Sequence, residues 1–151
     1  MKRILFVCHG NICRSPMAEF VMKDLLRQSG RVMEVFSAAT SRDELGSPIY
    51  PPASRTLHAH GVPTQPRAAR QLRPEDYEEF DHILVMDTAN VRNTLGLFDG
   101  DPQGKVLRLL DITDDPRDIS DPWYTGGFEQ TYADVVKGCQ ALLAQLDSAD
   151  K

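Results

Sequence analysis

The chain has 151 residues, enough for one ordinary domain and too few for two. Apolar residues make up 41% and charged residues 26%, as in average globular proteins, which excludes disorder, collagen-like repeats and coiled coils. The formal net charge of −5 argues against broad electrostatic binding to nucleic acid or to an anionic membrane. We therefore expect a single domain over residues 1–151 with no nucleic-acid partner.

No segment near the N-terminus is predicted to enter a membrane. The longest apolar run there, residues 4–8, is far shorter than the roughly 20 residues that span a bilayer. It also lacks the length and the cleavage site of a secretory signal. The three cysteines are an odd number without such a signal, which argues against a disulfide framework. We expect a cytoplasmic monomer with reduced thiols and no membrane insertion.

Apolar runs alternate with helical patterns along the chain. The expected elements are a strand over 2–7, a helix over 15–29, a strand over 32–38, a helix over 52–60, a strand over 83–86, a helix over 88–97, a strand over 106–110 and a helix over 128–146. Strands that alternate with helices form a parallel sheet, which binds ligands beyond the carboxyl ends of its strands. The predicted fold is a three-layer α/β domain with a central parallel four-stranded sheet flanked by helices.

The segment between the first strand and the first helix, residues 8–15, reads Cys-His-Gly-Asn-Ile-Cys-Arg-Ser. Its backbone N–H groups can converge on one anion, and the helix N-terminus adds positive potential. Gly10 permits a positive φ angle, and Asn11 tolerates the left-handed region while its side chain ties the loop down. This pattern predicts a phosphate-binding loop. The substrate-binding positions expected within it are His9, Gly10, Asn11, Ile12, Cys13 and Ser15.

Cys8 is predicted to lie at the floor of this loop. Nearby amides, the helix terminus and Arg14 favour its thiolate form, which is the nucleophilic one. Arg14 offers a planar fork that matches two phosphoryl oxygens and pairs more tightly as the transferring group flattens in the transition state. Ser15 can cap the helix and can donate a hydrogen bond to the sulfur of Cys8. These residues predict phosphoryl transfer onto Cys8.

A long loop, residues 111–127, follows the fourth predicted strand and contains five aspartates. Loops of this length in small domains are more often functional than idle. Asp121 is followed by Pro122, Trp123 and Tyr124, so its carboxyl can protonate a departing oxygen beside an aromatic ring and then activate water. We expect the other four aspartates to solvate the loop or to cap turns.

With these features the chain resembles the low-molecular-weight protein tyrosine phosphatases over nearly its whole length. The family signature of cysteine, five residues, arginine and serine is met by residues 8–15, and its aspartate-proline-aromatic-aromatic motif by residues 121–124. Further shared segments are residues 37–40, 69–71 and 86–90. The resemblance implies hydrolysis of phosphotyrosine in proteins, and of small aryl phosphates, with no cofactor and no metal.

The same resemblance assigns roles to individual residues. Cys8 is the nucleophile, Arg14 binds the phosphate and the transition state, and Asp121 is the general acid and then the base. The residues that would support the loop or wall the pocket are Asn11, Ser15, Trp123 and Tyr124. Inorganic phosphate and other oxyanions are expected to bind the same loop as product or inhibitor.

The chain departs from the family pattern at the rim of the predicted pocket. Ala39 stands where the family usually has glycine, and residues 42–44, Arg-Asp-Glu, stand where it often has an aromatic residue. Tyr50 is a candidate for the missing wall of the aryl slot. The acidic residues predict a preference for phosphopeptides with basic flanks.

Several side chains admit two interpretations. Cys13 is either a core thiol or the partner of Cys8 in a reversible, protective disulfide. Asp87 either orients part of the site or caps the helix at residue 88. Cys139 is expected in the core. The arginines expected to be solvated are Arg55, Arg67, Arg70 and Arg73.

Three other functions compete with that of a phosphatase. Arsenate reductases share the fold and a similar loop, but they need extra mid-chain cysteines, and residues 14–138 contain none. Phosphoarginine phosphatases typically have threonine where this chain has Ile12. A non-catalytic phosphate-binding module would not need Cys8, Arg14 and Asp121 together.

Overall fold

The computed structural model describes residues 2–149. The elements in chain order are β1 (Arg3–Cys8), α1 (Arg14–Ser29), β2 (Glu34–Ala39), α2 (Pro51–Ala59), α3 (Asp76–Glu79), β3 (His82–Val85), α4 (Thr88–Phe98), β4 (Val106–Arg108), a 3₁₀ turn (Leu109–Ile112), α5 (Pro122–Thr125) and α6 (Phe128–Ala149). The four strands form one parallel sheet in the order β2-β1-β3-β4. The predicted α/β fold is therefore confirmed.

Strand β1 lies inside the sheet and is covered on both faces. Ile4 and Phe6 are fully buried in the larger hydrophobic core, with residues of α1 and α6. Leu5 and Val7 point to the opposite face and pack in a second core, which includes Tyr77. Successive residues of a strand point to opposite faces of the sheet. A strand that is covered on both faces, as β1 is, therefore consists of a continuous apolar run.

The chain order around β1 creates a crevice. β2 pairs with one edge of β1 and β3 with the other, so the connections that leave β1 and β3 diverge. In parallel α/β sheets, ligands bind at such a switch point, outside the carboxyl ends of the strands. Loop 9–13, which follows β1, and residues 86–87, which follow β3, meet there.

Several predicted boundaries are wrong. The strand expected over 106–110 ends at Arg108, because Leu109 and Leu110 turn into the core as part of the 3₁₀ turn and are fully buried there. Helix α3 was not predicted, and the loop expected over 111–127 contains helix α5. No helix within residues 2–149 is long and apolar enough to cross a membrane.

The close approach of α6 to the 3₁₀ turn depends on Gly138. A Cβ atom at this position would lie 2.3 Å from Cγ of Leu109, whose side chain is fully buried. We expect Gly138→Ala to lower the free energy of unfolding by about 1–3 kcal/mol, because a packed core does not accept the added volume. Urea denaturation measures the change.

Gly96 in α4 provides the matched control, since an added Cβ there would meet nothing within 4 Å. Gly96→Ala should raise the free energy of unfolding by about 0.5–1 kcal/mol, because glycine is a poor helix former. An equal gain of stability in both variants would contradict the packing argument.

Candidate active site

The loop between β1 and α1 turns at Asn11. This residue is fully buried and takes the left-handed conformation, with φ of 59°. Gly10, expected to supply a positive φ angle, does not adopt one. Asparagine is one of the few residues that enter the left-handed region readily, because its short polar side chain can hydrogen-bond locally.

The side chain of Asn11 is held by four hydrogen bonds. Its Oδ1 accepts from Nη2 of Arg67 at 2.6 Å and from the backbone N–H of Arg70 at 3.2 Å. Its Nδ2 donates to Oγ of Ser15 at 2.7 Å and to Oγ of Ser37 at 2.9 Å. The amide can satisfy all these partners in only one orientation, so the centre of the loop is fixed.

The sulfur of Cys8 lies beside this network. Oγ of Ser15 is 3.0 Å from Sγ of Cys8, and because that oxygen already accepts from Asn11, its own hydrogen is free to point at the sulfur. The backbone N–H of Asn11 donates to the same sulfur at 3.3 Å. Two donors aimed at one sulfur stabilise negative charge on it. Ser15 makes no capping hydrogen bond, so that part of its predicted role is wrong.

Arg14 is buried beside the cleft with its guanidinium group held at one end. Nη1 donates to Oδ2 of Asp87 at 2.7 Å and to the backbone carbonyl of Ile119 at 2.9 Å. Nη2 lies 3.5 Å from Oδ2 of Asp121. Burial lowers the pKa of Arg14, but the charge of Cys8 and the hydrogen bond to Asp87 outweigh it and raise that pKa above its ordinary value. The guanidinium group is therefore positively charged at any physiological pH.

Asp87 fulfils both interpretations. While Oδ2 binds Arg14, Oδ1 accepts from the backbone N–H of Asn90 at 2.7 Å and caps α4. The side chain of Asn90 bonds in return to the backbone N–H of Asp87, which completes a capping box. The helix cap thus fixes the carboxylate that holds Arg14.

Asp121 is fixed in a similar way at the start of α5. Its Oδ1 accepts from the backbone N–H of Trp123 at 3.0 Å, and Pro122 occupies the first helical position. This leaves Oδ2 facing Arg14. The carboxyl group is about a quarter exposed, so both water and a substrate can reach it.

These groups surround one cleft of about 130 Å³. The residues that line it are Cys8, His9, Gly10, Ile12, Cys13, Arg14, Asp43, Glu44, Asp121, Trp123 and Tyr124. Of the predicted site residues, Asn11 and Ser15 are absent from this lining and are fully buried, Asn11 within the loop and Ser15 in the first turn of α1. Within residues 2–149 no cluster of histidine, cysteine and acidic residues could hold a metal ion.

Three side chains near the site lie elsewhere than the sequence predicts. Arg67 was expected in solvent, yet it is half-buried and binds Asn11, and burial lowers its pKa. Arg70 binds the fully buried Asp76. Tyr50 is not part of the cleft lining and instead packs on Trp123, with ring centroids 4.7 Å apart. No local sequence signal identifies these long-range contacts.

The other two cysteines are buried thiols. Burial, assisted by the charge of Cys8, raises the pKa of Cys13 to about 12. Burial also raises the pKa of Cys139, which contacts the carbonyl of Ala18 in the core, as expected. Cys8 and Cys13 are both free thiols in this structure, and the disulfide between them stays a prediction.

A buried cysteine, an arginine fork and a carboxyl group around one cleft define a phosphatase that works through a cysteine nucleophile. The family model described as low molecular weight phosphotyrosine protein phosphatase matches residues 3–151, and the chain belongs to this family. The expected family and fold class are thus confirmed.

Known relatives are similar to this chain in sequence or in structure over nearly its whole length. The chain is 35% identical to the low molecular weight protein-tyrosine-phosphatase YfkJ of Bacillus subtilis, over 97% of this chain and 96% of that protein. It is 34% identical to PtpA of Staphylococcus epidermidis, over 95% and 92%. The crystal structure of YfkJ matches it with a TM-score of 0.95, at 33% identity, over 100% of this chain and 98% of that one. A low molecular weight protein tyrosine phosphatase of Streptococcus pyogenes matches with a TM-score of 0.86, at 39% identity, over 97% and 93%.

The different surroundings of the cysteines predict selective alkylation. At pH 7 iodoacetate should modify Cys8 and leave Cys13 unmodified, because a thiol whose pKa is about 12 is almost fully protonated at neutral pH. Inorganic phosphate should slow the reaction by filling the loop. Peptide mass spectrometry locates the label.

In denaturant, where burial is lost, all three cysteines should be labelled, which controls for the reagent. Labelling of Cys13 as fast as that of Cys8 in the folded protein would contradict this assignment.

Proposed function

We propose that this chain hydrolyses phosphotyrosine in proteins, and small aryl phosphates, through a covalent phosphocysteine at Cys8. The observation that carries the proposal is the sulfur of Cys8, which receives two hydrogen bonds in a cleft that also contains Arg14 and Asp121. Each of the three groups supplies one part of phosphoryl transfer: a nucleophile, a charge that stabilises the transition state, and a proton donor.

In the first step, the thiolate of Cys8 attacks phosphorus and the bond from phosphorus to the tyrosyl oxygen breaks. Asp121 donates its proton to that oxygen, so neutral tyrosine leaves. Arg14 is anchored through Nη1 by Asp87 and Ile119, which leaves Nη2 for the phosphoryl oxygens. The backbone N–H groups of the loop bind the remaining oxygen charge.

In the second step, water attacks the phosphorus of the phosphocysteine. The carboxylate of Asp121 accepts a proton from this water, and the bond from sulfur to phosphorus breaks. Inorganic phosphate leaves and the thiolate of Cys8 returns, stabilised by Ser15 and the N–H group of Asn11. Asp121 regains the proton that it gave in the first step, so the cycle closes without a metal or another cofactor.

The cleft supports an aromatic substrate. Its lining includes the rings of Trp123 and Tyr124 and the apolar side chain of Ile12, which offer flat and apolar surfaces to a tyrosyl ring. Inorganic phosphate and other oxyanions would compete for the same loop. The expected monomeric state and cytoplasmic location stay predictions.

Replacement of the nucleophile tests the proposal. Cys8→Ser should reduce turnover of p-nitrophenyl phosphate to the background rate, because a serine hydroxyl in this loop is a far weaker nucleophile than a thiolate. Binding of phosphate or vanadate should persist, since the loop amides and Arg14 remain.

Cys139→Ala is the matched control, because it removes a fully buried cysteine of α6 that does not line the cleft. It should retain turnover in proportion to its folded fraction. Full activity in Cys8→Ser would refute the proposal.

Two carboxylates at the rim of the cleft, those of Asp43 and Glu44, should influence which phosphopeptides bind. Oδ2 of Asp43 accepts a hydrogen bond from Nε2 of His9 at 2.7 Å, and Oε2 of Glu44 accepts from Oγ of Ser47 at 2.9 Å. Their loop is tied down, since the backbone N–H of Ser41 donates to the carbonyl of His9 at 3.0 Å. The two acidic side chains are therefore held at the cleft.

We expect phosphotyrosyl peptides with lysine or arginine flanks to have a kcat/KM about 3- to 10-fold higher than peptides with glutamate flanks. The estimate follows because each of the two exposed ion pairs contributes roughly 0.2–1 kcal/mol, and a combined contribution of about 0.7–1.4 kcal/mol corresponds to this ratio. Glu44→Gln should narrow the ratio, as should high salt. Steady-state kinetics on the two peptide sets measures it.

Asp99→Asn is the matched control of charge, because Asp99 lies at the end of α4 away from the cleft. It should leave the ratio unchanged. Equal kcat/KM for basic and acidic flanks would remove any role of Asp43 and Glu44 in substrate choice.

A further inference from the structure

The loop that carries Asp121 is attached to the rest of the domain at three consecutive residues. Arg117 binds α6, Asp118 binds α4 and β4, and Ile119 binds Arg14 and the residue directly after β3. The attachments come from different sides of the loop, so together they restrict both its position and its rotation.

The attachment to α6 is a bidentate ion pair. Nη2 of Arg117 donates to Oδ1 of Asp134 at 2.7 Å, and Nη1 donates to Oδ2 at 3.1 Å. Asp134 is 5% exposed and also accepts from Nε2 of Gln130 at 3.0 Å. Within the loop, the Arg117 guanidinium group donates to Asp115 and to the backbone carbonyl of Asp118. One guanidinium group thus joins two points of the loop to a buried carboxylate of α6.

The next two residues complete the attachment. Oδ1 of Asp118 accepts from the backbone N–H of Thr88 at 2.9 Å and from Nη1 of Arg108 at 3.0 Å. The backbone N–H of Ile119 donates to the carbonyl of Met86 at 2.9 Å, and its carbonyl accepts from Arg14. The side chain of Ile119 is fully buried.

We propose that the ion pair of Arg117 and Asp134 is a positioning pair that holds Asp121 within reach of the leaving oxygen before substrate arrives. The inference rests on the proposed function, because it assumes that Asp121 donates the proton. The loop then acts as a fixed support rather than as a lid. Neither Arg117 nor Asp134 lines the cleft, so any effect of the pair on the reaction passes through the loop that carries Asp121.

The short distance along the chain makes the coupling direct. Asp121 follows Ile119 after a single intervening residue, and a residue spans at most about 3.5 Å. Without the Arg117 contact, two of the three attachments, those of Asp118 and Ile119, still hold the segment that leads to Asp121, and the position of Asp121 is less tightly restricted. Misplacement of a catalytic group by about 1 Å can cost on the order of 100-fold in rate.

Loss of the ion pair between Arg117 and Asp134 should affect proton donation by Asp121 and leave the other parts of the reaction unchanged. Attack by Cys8 and phosphate binding by Arg14 depend on the loop after β1 and on the two anchors of Arg14, Asp87 and the carbonyl of Ile119. Neither anchor contacts Arg117 or Asp134, and Ile119 keeps its own hydrogen bond to Met86 when the ion pair is lost. Loss of the pair should therefore slow proton donation to the leaving oxygen and leave phosphate affinity unchanged. A pair that served only stability would reduce all rates in proportion to the unfolded fraction.

The experiment compares two aryl phosphates in the first turnover, which reports release of the leaving group alone. Phenyl phosphate has a poor leaving group that needs the proton, and p-nitrophenyl phosphate has an activated one that needs it less. Arg117→Met should slow release of phenol about 10- to 100-fold and release of p-nitrophenol less than 3-fold. The inhibition constant of inorganic phosphate should not change.

Two further variants link the effect to Asp121. Asp121→Asn should show the same selectivity for the poor leaving group, and adding Arg117→Met to it should cause no further loss. Arg117→Lys keeps the charge and removes the bidentate contact, so it should fall between wild type and Arg117→Met. If Arg117→Met does not fold, Arg117→Lys and Asp134→Asn carry the same comparison.

The chain offers a matched control on the same two elements. Lys137 of α6 pairs with Asp114 of the loop at 2.7 Å, and the side chain of Asp114 is 89% exposed. Lys137→Met should leave every rate unchanged, because an exposed pair does not fix the loop. Equal slowing of both substrates by Arg117→Met, or an additive loss in the double variant, would overturn the proposal. Failure of the wild-type protein to hydrolyse either substrate would instead overturn the proposed function.

Discussion

The buried amide of Asn11 is the contact on which the candidate site depends. A residue in the left-handed conformation is strained unless its surroundings fix it, and here four hydrogen bonds to the side chain do so. Because Ser15 and Ser37 both accept from this amide, each has its own hydrogen left to give. Ser15 can direct its hydrogen to the sulfur of Cys8, and Ser37 donates to Glu19 at 2.5 Å. One side chain thus sets the direction of the hydrogen bonds at the nucleophile.

Arg14 joins the two halves of the site. It begins α1 directly after the phosphate loop, yet its guanidinium group is held by a carboxylate that follows β3 and by a carbonyl of the loop before Asp121. Such convergence is possible because parallel strands end at the same edge of the sheet, so loops far apart in sequence meet there. The fold therefore places the nucleophile, the arginine and the acid side by side, although Asp121 is far from Cys8 and Arg14 in the sequence.

Sequence patterns predict those parts of the site whose residues lie close together in the chain. The apolar run of β1, the loop over residues 8–15 and the motif that contains Asp121 each lie within a few residues, and the structure brings them together in one cleft. Arg67 was not predicted, because it contacts Asn11 across 56 positions of sequence and no neighbouring residue marks it. The turn of Leu109 and Leu110 into the core was missed for the same reason, since apolar residues after a strand look like its continuation.

The two halves of the site are held by different kinds of contact, and their chemistry explains the difference. The phosphate loop must accept a dianion, and the groups that hydrogen-bond to Asn11 at its centre carry no negative charge: they are two serine hydroxyls, a backbone N–H and the guanidinium group of Arg67. The acid loop is tied by the ion pair of Arg117 and Asp134, outside the cleft, where fixed charges do not face the phosphoryl group. Within the cleft, Nη2 of Arg14 lies close to Oδ2 of Asp121. A bound phosphoryl group would take up Nη2 of Arg14, and Oδ2 of Asp121 would then be left to face the leaving oxygen.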